Sequence, residues 1–228
     1  MPSENVENYL KRIYSIERTG ERVSTTLLSE KLRVSPASVS EMVKRLADQG
    51  DVHYTPYRGV ELTRNGKKRA LRIIRRHRLW ELFLVRVLNY RWDEVHREAE
   101  RLEHVTSEMM ERRLDEFLGK PTIDPHGDAI PTADGDLPDG GAVPLSAIES
   151  SECVVVRVSD EETEILRYAT RLGIELGKQI AVTERVEFDG SLRVAIDGET
   201  RFVSRELASR IFVEPVTTRR RKRNGAAA

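Results

Sequence analysis

The chain has 228 residues, of which 39% are hydrophobic and 33% are charged, and its formal net charge is zero. This length and composition are typical of a helix-rich globular protein with two or three small domains, and they argue against a disordered chain. No apolar run approaches about eighteen residues, so no membrane span is expected. The polar N-terminus argues against a signal peptide, and the single cysteine, Cys153, fits a reducing cytoplasm, where we expect the protein to act.

Charge is segregated along the chain even though the sum is zero. Residues 64–78 contain eight Lys or Arg and no acid, acids outnumber bases over residues 92–116, and residues 219–223 are wholly basic. A DNA-binding end and a cation-binding middle would need such a distribution. For the basic tail, a solubilising disordered end is the commoner role.

Helical and alternating spacing of apolar residues, together with capping residues, predicts the elements of the first half. Ser24 begins a short helix, and Ser35 followed by Pro36 begins the next one, so the two form a helix-turn-helix. The predicted elements are helices at 6–16, 27–32 and 36–49, a β-hairpin wing at 52–55 and 60–63, and helices at 65–88 and 93–118.

The second half begins with a change of composition. Residues 121–150 are rich in Pro, Gly and Asp, which is typical of a linker. The elements predicted after it are a strand at 153–158, a helix at 160–172 and strands at 179–187, 192–196 and 200–203. This pattern indicates a small β-barrel with one helix.

The polar face of helix 36–49 is the candidate DNA-reading surface. Short polar side chains allow a helix to enter the major groove, while basic side chains reach phosphates. Any small helical bundle has a solvated polar face, but the cap, turn and wing in this order favour DNA binding. The candidate DNA-binding residues are Ser35, Ala37, Ser38, Ser40, Glu41, Lys44 and Arg45, with Tyr57 and Arg58 at the wing tip.

Histidines and carboxylates at helical spacing predict a metal site. On the helix at 93–118, four residues fall within an arc of roughly 100°, and on the preceding helix His77 and Glu81 share one face. A single such pair is usually part of a solvent-exposed helix face, but pairs on two adjacent helices favour a metal site. Imidazole and carboxylate ligands favour Mn(II), Fe(II), Co(II) or Zn(II) over copper. The four residues of the later helix are His96, Glu100, Glu103 and His104.

A catalytic role for the same residues fails on spacing. The run 96–100 lacks the second histidine of a zinc protease, and Arg101 stands where a di-iron motif needs glutamate. The sequence contains neither a phosphate-binding glycine loop nor a nucleophile elbow. We therefore expect a protein that is not an enzyme.

Four segments, 7–14, 76–81, 95–104 and 124–131, are similar to signature runs of the diphtheria-toxin-repressor family of iron- and manganese-dependent regulators. Residues 151–215 resemble that family's SH3-like domain, which small ferrous-transport proteins share. The resemblance implies a mainly α fold with β. Its expected parts are a winged helix-turn-helix (1–64), a helical metal-binding and dimerisation domain (65–130), a linker (131–150), an SH3-like, FeoA-type β-barrel (151–216) and a basic tail (217–228).

The resemblance also implies two metal sites. The ligands of the regulatory site would be Asn8, Glu100, Glu103 and His104. The ligands of the second site would be drawn from His77, Glu81, His96, Asp124, His126 and one acid of the SH3-like domain. Glu162 aligns best for that acid, with Asp160, Glu161 and Glu164 close enough to compete.

Mn(II) or Fe(II) is the implied cofactor, and Glu100 favours Mn(II) because manganese-type members have glutamate where iron-type members have cysteine. Co(II), Ni(II) or Zn(II) would bind in vitro. Asn8 departs from the usual Met or Asp, and Lys11 argues against a paired-metal site. The implied partners are a palindromic double-stranded DNA operator and a second copy of the chain. Two alternatives remain: a winged-helix regulator with an organic effector and a vestigial metal site, and a metal-binding transport accessory protein.

Overall fold

The computed structural model describes residues 4–56, 58–138, 141–149, 151–160 and 162–216. It divides into two compact units, Met1–Asp139 and Gly140–Ala228. The elements of the first unit are α1 (Glu4–Arg18), α2 (Thr25–Leu32), α3 (Pro36–Asp48), β1 (Val52–Thr55), β2 (Gly59–Leu62), α4 (Arg64–Leu88), α5 (Val95–Glu103) and α6 (Glu108–Phe117). None of the described helices is long and apolar enough to cross a membrane.

Capping residues define the helix-turn-helix. The Ser24 side chain accepts a hydrogen bond from the backbone N–H of Leu27 at the start of α2, and Ser35 does the same for Ser38 at the start of α3. Arg33 ends α2 in the left-handed conformation, with φ 55°. The inner face of α3 buries Val39, Val43 and Leu46. The predicted winged helix-turn-helix is therefore confirmed.

The wing is an antiparallel hairpin of β1 and β2. Gly59 begins β2 with a φ of +115°, and a Cβ there would lie 2.8 Å from the carbonyl oxygen of Val23. Only glycine fits this approach, which lets the backbone N–H of Val60 donate to the same oxygen at 3.0 Å. Tyr57, predicted at the wing tip, lies outside the described residues.

The first turns of α4 are fixed to the junction between α3 and β1. Asp51 at that junction is fully buried and accepts hydrogen bonds from Asn65, at 2.9 Å, and from Arg69. Gly66 lies so close that a Cβ would be 1.9 Å from the Asp51 carbonyl oxygen. Since α4 also packs against α1, α5 and α6, this one helix joins the winged unit to the helices that follow.

The prediction of a single helix at 93–118 is wrong, because the structure has two helices there, α5 and α6. Ser107 caps α6 by accepting from the backbone N–H of Met110 at 3.2 Å. Thr106 is buried in the break, where its hydroxyl accepts from Trp80 Nε1 at 2.7 Å and donates to the Leu102 carbonyl at 2.6 Å. The break leaves His104 at the C-terminal end of α5.

The segment after α6 packs on the first unit. Ile130 is buried with Leu79 and Leu82, and Leu137 packs against the core of the winged helix-turn-helix. The predicted linker, 131–150, thus includes residues of the first unit, and its later part includes β3 of the second unit. The Pro, Gly and Asp content reflects turns, such as the one in which the backbone N–H of Asp124 donates to the Asp128 carbonyl at 3.0 Å.

The second unit is an antiparallel sheet in the order β3-β8-β4-β5-β6-β7, as expected for a small SH3-like barrel. Its elements are β3 (Val143–Pro144), a 3-10 turn (Leu145–Ala147), β4 (Glu152–Val158), α7 (Thr163–Arg171), β5 (Gln179–Arg185), β6 (Leu192–Ile196), β7 (Glu199–Val203), α8 (Arg205–Arg210) and β8 (Ile211–Pro215). The sequence patterns missed β3, α8 and β8. Cys153 is buried in β4, and the basic tail lies outside the described residues.

We expect Gly66→Ala to lower the free energy of unfolding by about 1–3 kcal/mol, because the added methyl group collides with backbone that has no room to move. Urea denaturation followed by circular dichroism measures the change. Gly141→Ala is the matched control, because a Cβ there meets nothing within 4 Å. Equal midpoints for the two variants would contradict the assigned role of Gly66.

Candidate metal centre

Three predicted ligands meet where α4 and α5 pack side by side. His77 Nε2 lies 2.9 Å from Glu81 Oε1 and 3.0 Å from His96 Nδ1. His77 and Glu81 are both buried, whereas the His96 side chain is 41% exposed. The spacing of four residues on α4 places both buried groups on the face that α5 covers.

Glu103, at the end of α5, joins this group to α1. Its carboxylate is fully buried and hydrogen bonds to His77 Nδ1 and to Lys11 Nζ. His104 follows, with Nε2 3.4 Å from Glu103 Oε1 and Nδ1 2.6 Å from Glu7 Oε2. The residues predicted for two separate sites therefore form one continuous network.

The other oxygen of Glu81 faces a second buried group. Glu81, Asp124 and His126 present ligand atoms that all lie within 4.8 Å of one another. His126 Nε2 is 2.7 Å from the Trp92 carbonyl oxygen, to which it donates, so in the neutral ring Nδ1 carries the lone pair. Glu81 Oε2 and Asp124 Oδ2 are buried with no hydrogen-bond partner among the described residues. Buried carboxylate oxygens without partners are costly, and a cation would satisfy them.

Burial and charge shift the pKa values of the centre. Burial lowers the pKa of His77, but Glu81 and Glu103 outweigh it and raise that pKa to about 9. Burial raises the pKa of Asp124 to about 8, and the neighbouring charge of Glu81 adds to the effect. Burial would also raise the pKa of Glu81, but the histidines around it hold that pKa well below its usual value. At neutral pH the centre without metal therefore holds protons on His77 and Asp124.

Two of the predicted ligands of the first unit lie outside this network. Glu100 is exposed on α5 and has no ion pair with another described residue. Asn8 is half-buried, and α1 instead directs Glu7 and Lys11 at the end of α5. Glu162 lies in the second unit at the start of α7, 3.8 Å from Arg210, and its part in the centre stays a prediction.

Sequence reasoning missed Glu7 and used Lys11 only as an argument against a paired-metal site, although the spacing of four residues on one helix was visible. The charges of α4 also have partners that the sequence did not indicate. Four of the eight basic residues of 64–78 pair with acids of the first unit: Arg69, Arg75, Arg76 and Arg78. That stretch is therefore in large part structural.

The candidate DNA-reading residues line the outer face of α3. Ser40 is half-buried and donates to the Pro36 carbonyl at 2.9 Å. Arg58 is exposed beside the turn of the wing. The exposed candidates on and before α3 are Ser35, Ala37, Ser38, Glu41, Lys44 and Arg45. A winged helix-turn-helix joined through one helix to a buried cluster of imidazole and carboxylate groups defines the class of metal-dependent DNA-binding regulators.

Comparison with known proteins gives the family. Residues 1–60 match the family described as "Iron dependent repressor, N-terminal DNA binding domain", and residues 63–132 match its "metal binding and dimerisation domain". Residues 143–215 match the FeoA domain. The chain therefore belongs to the diphtheria-toxin-repressor family of metal-dependent regulators, whose members are transcriptional repressors and not enzymes.

Individual relatives agree with this assignment. The chain is 38% identical over 151 residues to the iron-dependent repressor IdeR of Mycobacterium leprae, an alignment covering 66% of this chain and 64% of that protein. It is 30% identical over 224 residues to the diphtheria toxin repressor of Corynebacterium glutamicum, covering 93% and 97%. A solved structure titled "Manganese-dependent transcriptional repressor complex with manganese" is 42% identical, with a TM-score of 0.86 over 92% of this chain and 100% of that one.

Metal affinity at this centre is expected to rise with pH between about 6 and 8. His77 and Asp124 hold protons with pKa values of about 9 and about 8, so a metal must displace them. For each proton that the metal displaces, raising the pH by one unit strengthens metal binding by up to about tenfold. Calorimetric titration with Mn(II) at three pH values, in buffers of different ionisation heat, measures affinity and proton release. Asp124→Asn should weaken the pH dependence of the Mn(II) affinity. A wild-type affinity that does not change with pH would contradict the prediction.

Proposed function

We propose that the chain is a metal-dependent transcriptional repressor that binds a palindromic DNA operator as a homodimer when Mn(II) or Fe(II) is bound. The observation that carries the proposal is the buried cluster of Glu81, Asp124 and His126, in which Glu81 lies on α4, the helix that also anchors the winged unit. As its target is chromosomal DNA, the proposed place of action is the cytoplasm.

The donor chemistry of the centre fits this class of metal. Its groups are imidazole nitrogens and carboxylate oxygens, which suit Mn(II), Fe(II), Co(II), Ni(II) and Zn(II) better than a soft copper ion. When bound, such an ion would supply positive charge to acids that otherwise depend on protons, on Lys11 and on Arg78. The manganese preference based on Glu100 remains a proposal, since Glu100 is exposed on α5.

The residues of the chain provide a route from the centre to the DNA-reading helix. Glu81 and His77 lie on α4, whose first turns hold Asp51 through Asn65 and Arg69. Asp51 follows α3 closely, so a change in the position of α4 acts directly on the helix that carries Lys44 and Arg45. Protons on His77 and Asp124 hold the centre without metal, and their release accompanies metal binding.

The two alternatives have less support. An organic effector would leave without a role the buried oxygens of Glu81 and Asp124 that accept no hydrogen bond from a described residue. A transport accessory protein would not need the capped helix-turn-helix that the first unit contains. The family's members are metal-dependent repressors, so neither an organic effector nor a transport role is favoured.

The first experiment measures whether metal controls DNA binding. A duplex selected from a random library with the protein in Mn(II) is used in fluorescence anisotropy, with and without chelator. We expect chelator to weaken binding by about 5–150-fold. Glu81→Gln should bind DNA in Mn(II) as weakly as the wild type does in chelator, because it removes the carboxylate shared by both halves of the centre.

Two further variants are the controls of this experiment. Glu98→Gln removes an acid of α5 that pairs with Arg101 at the surface, and should behave as the wild type. A Lys44→Ala, Arg45→Ala double variant should bind Mn(II) normally but bind DNA weakly at every metal concentration. Wild-type DNA affinity that is the same in Mn(II), Fe(II) and chelator would overturn the proposed function.

The proposed homodimer rests on exposed apolar side chains at the end of α4 and on α6. Met109 and Phe117 are 68% and 67% exposed, and Leu88 is 52% exposed. Phe117 packs against Phe83 of α4, with ring centroids 5.9 Å apart, so these side chains lie on neighbouring helices. Exposed apolar side chains concentrated on one pair of helices favour a protein interface.

We expect Phe117→Asp to convert the dimer into a monomer, because the charge would have to be buried in the interface. Size-exclusion chromatography with light scattering measures the mass in solution. Phe188→Asp is the matched control: Phe188 is 98% exposed in the second unit and should leave the mass unchanged. A Phe117→Asp variant that keeps the dimer mass would place the interface elsewhere.

A further inference from the structure

A lysine occupies the middle of the candidate metal centre. Lys11 Nζ lies 2.9 Å from Oε1 and 2.9 Å from Oε2 of Glu103, and 3.3 Å from His77 Nδ1. Glu103 is fully buried, whereas the Lys11 side chain is 22% exposed and enters from α1. An ammonium group therefore sits where a cation bound to both Glu103 and His77 would sit.

The positive charge of Lys11 compensates the buried negative charge of Glu103. A buried carboxylate requires a cation or several hydrogen-bond donors, and Lys11 supplies a cation that donates to both oxygens. A metal bound to Glu103 would approach those oxygens to about 2.0–2.2 Å. Two cations cannot share the same oxygens at such distances without strong repulsion.

The other half of the centre is less completely satisfied. Its nearest cation, Arg78, has Nε 3.4 Å from Asp124 Oδ2 and pairs more closely with Asp128, at 2.9 Å. Glu81 Oε2 and Asp124 Oδ2 are buried without a hydrogen-bond partner among the described residues. Together with His126 they offer three ligand atoms within 4.8 Å. A metal that binds there uses oxygens to which no described group donates a hydrogen bond, so it does not have to break the two hydrogen bonds that Lys11 makes with Glu103.

We propose that Lys11 is a resident cation that satisfies Glu103 and holds α1 on α5 in the metal-free chain, so that metal binds first at Glu81, Asp124 and His126. Metal reaches Glu103 only by displacing Lys11. The inference rests on the proposed metal dependence and deepens it, because it divides the centre into a high-affinity half and a half that opens at higher metal concentration. Lys11 is thus a residue that sets the metal-response threshold.

Calorimetric titration of the full chain with Mn(II) tests the division. The wild type should show two classes of site with affinities at least about tenfold apart. Lys11→Leu should tighten the weaker class by about tenfold or more and leave the tighter class unchanged. The metal-free form of this variant should melt at a lower temperature, because Glu103 loses one of its two cationic partners and keeps only His77. Lys11→Arg keeps the charge, and Lys31→Leu removes an exposed lysine of α2; both should resemble the wild type.

A second measurement uses the wild type alone, in case Lys11→Leu fails to fold. Acetic anhydride labelling followed by mass spectrometry reports whether the Lys11 amine is accessible. Labelling of Lys11 should stay low until the tighter class is full, and then increase as the weaker class fills. Labelling that does not respond to Mn(II), or equal weak-class affinities in Lys11→Leu and the wild type, would overturn the inference. A wild type that binds no Mn(II) would instead overturn the proposed function.

Discussion

The buried pair of His77 and Glu81 on α4 is the interaction on which the rest of the centre depends. Glu103 binds one nitrogen of His77, His96 approaches the other, and His126 faces the second oxygen of Glu81. Breaking such a buried pair leaves an uncompensated charge, which costs about 3–5 kcal/mol. The groups around the pair therefore act together, and a change of charge at any of them alters the protonation of the others.

Much of the secondary structure could be predicted from neighbouring residues in the sequence, whereas the long-range contacts of the metal centre could not. Ser24 and Ser35 marked both helices of the helix-turn-helix, because a cap needs only neighbouring residues. The break after α5 depends on the hydrogen bond between Trp80 and Thr106, residues from different helices. Short elements such as α8 have too few residues for a period to show.

The residues of the metal centre divide in the same way: helical spacing predicts some of their contacts, and the packing of helices determines the others. The pairing of His77 with Glu81 followed from helical spacing and requires no knowledge of the fold. Which residue of α1 meets His104 depends on the rotation of α1 against α5, and a shift of one residue, about 100° around the helix, separates Asn8 from Glu7. The long-range partners of the basic stretch on α4, such as Asp128 for Arg78, likewise arise only when the chain is packed.

The contact between Glu7 and His104 joins residues 97 positions apart. The inner face of α1 is covered by α4, whose Leu71 and Ile73 share a core with the apolar residues of α1. Residues 1–60, which match a DNA-binding domain, end before α4 and so lack part of the core that covers α1. The unit that carries the DNA-reading surface and the metal centre therefore share α1 and α4, and a truncation before α4 is expected to disturb both.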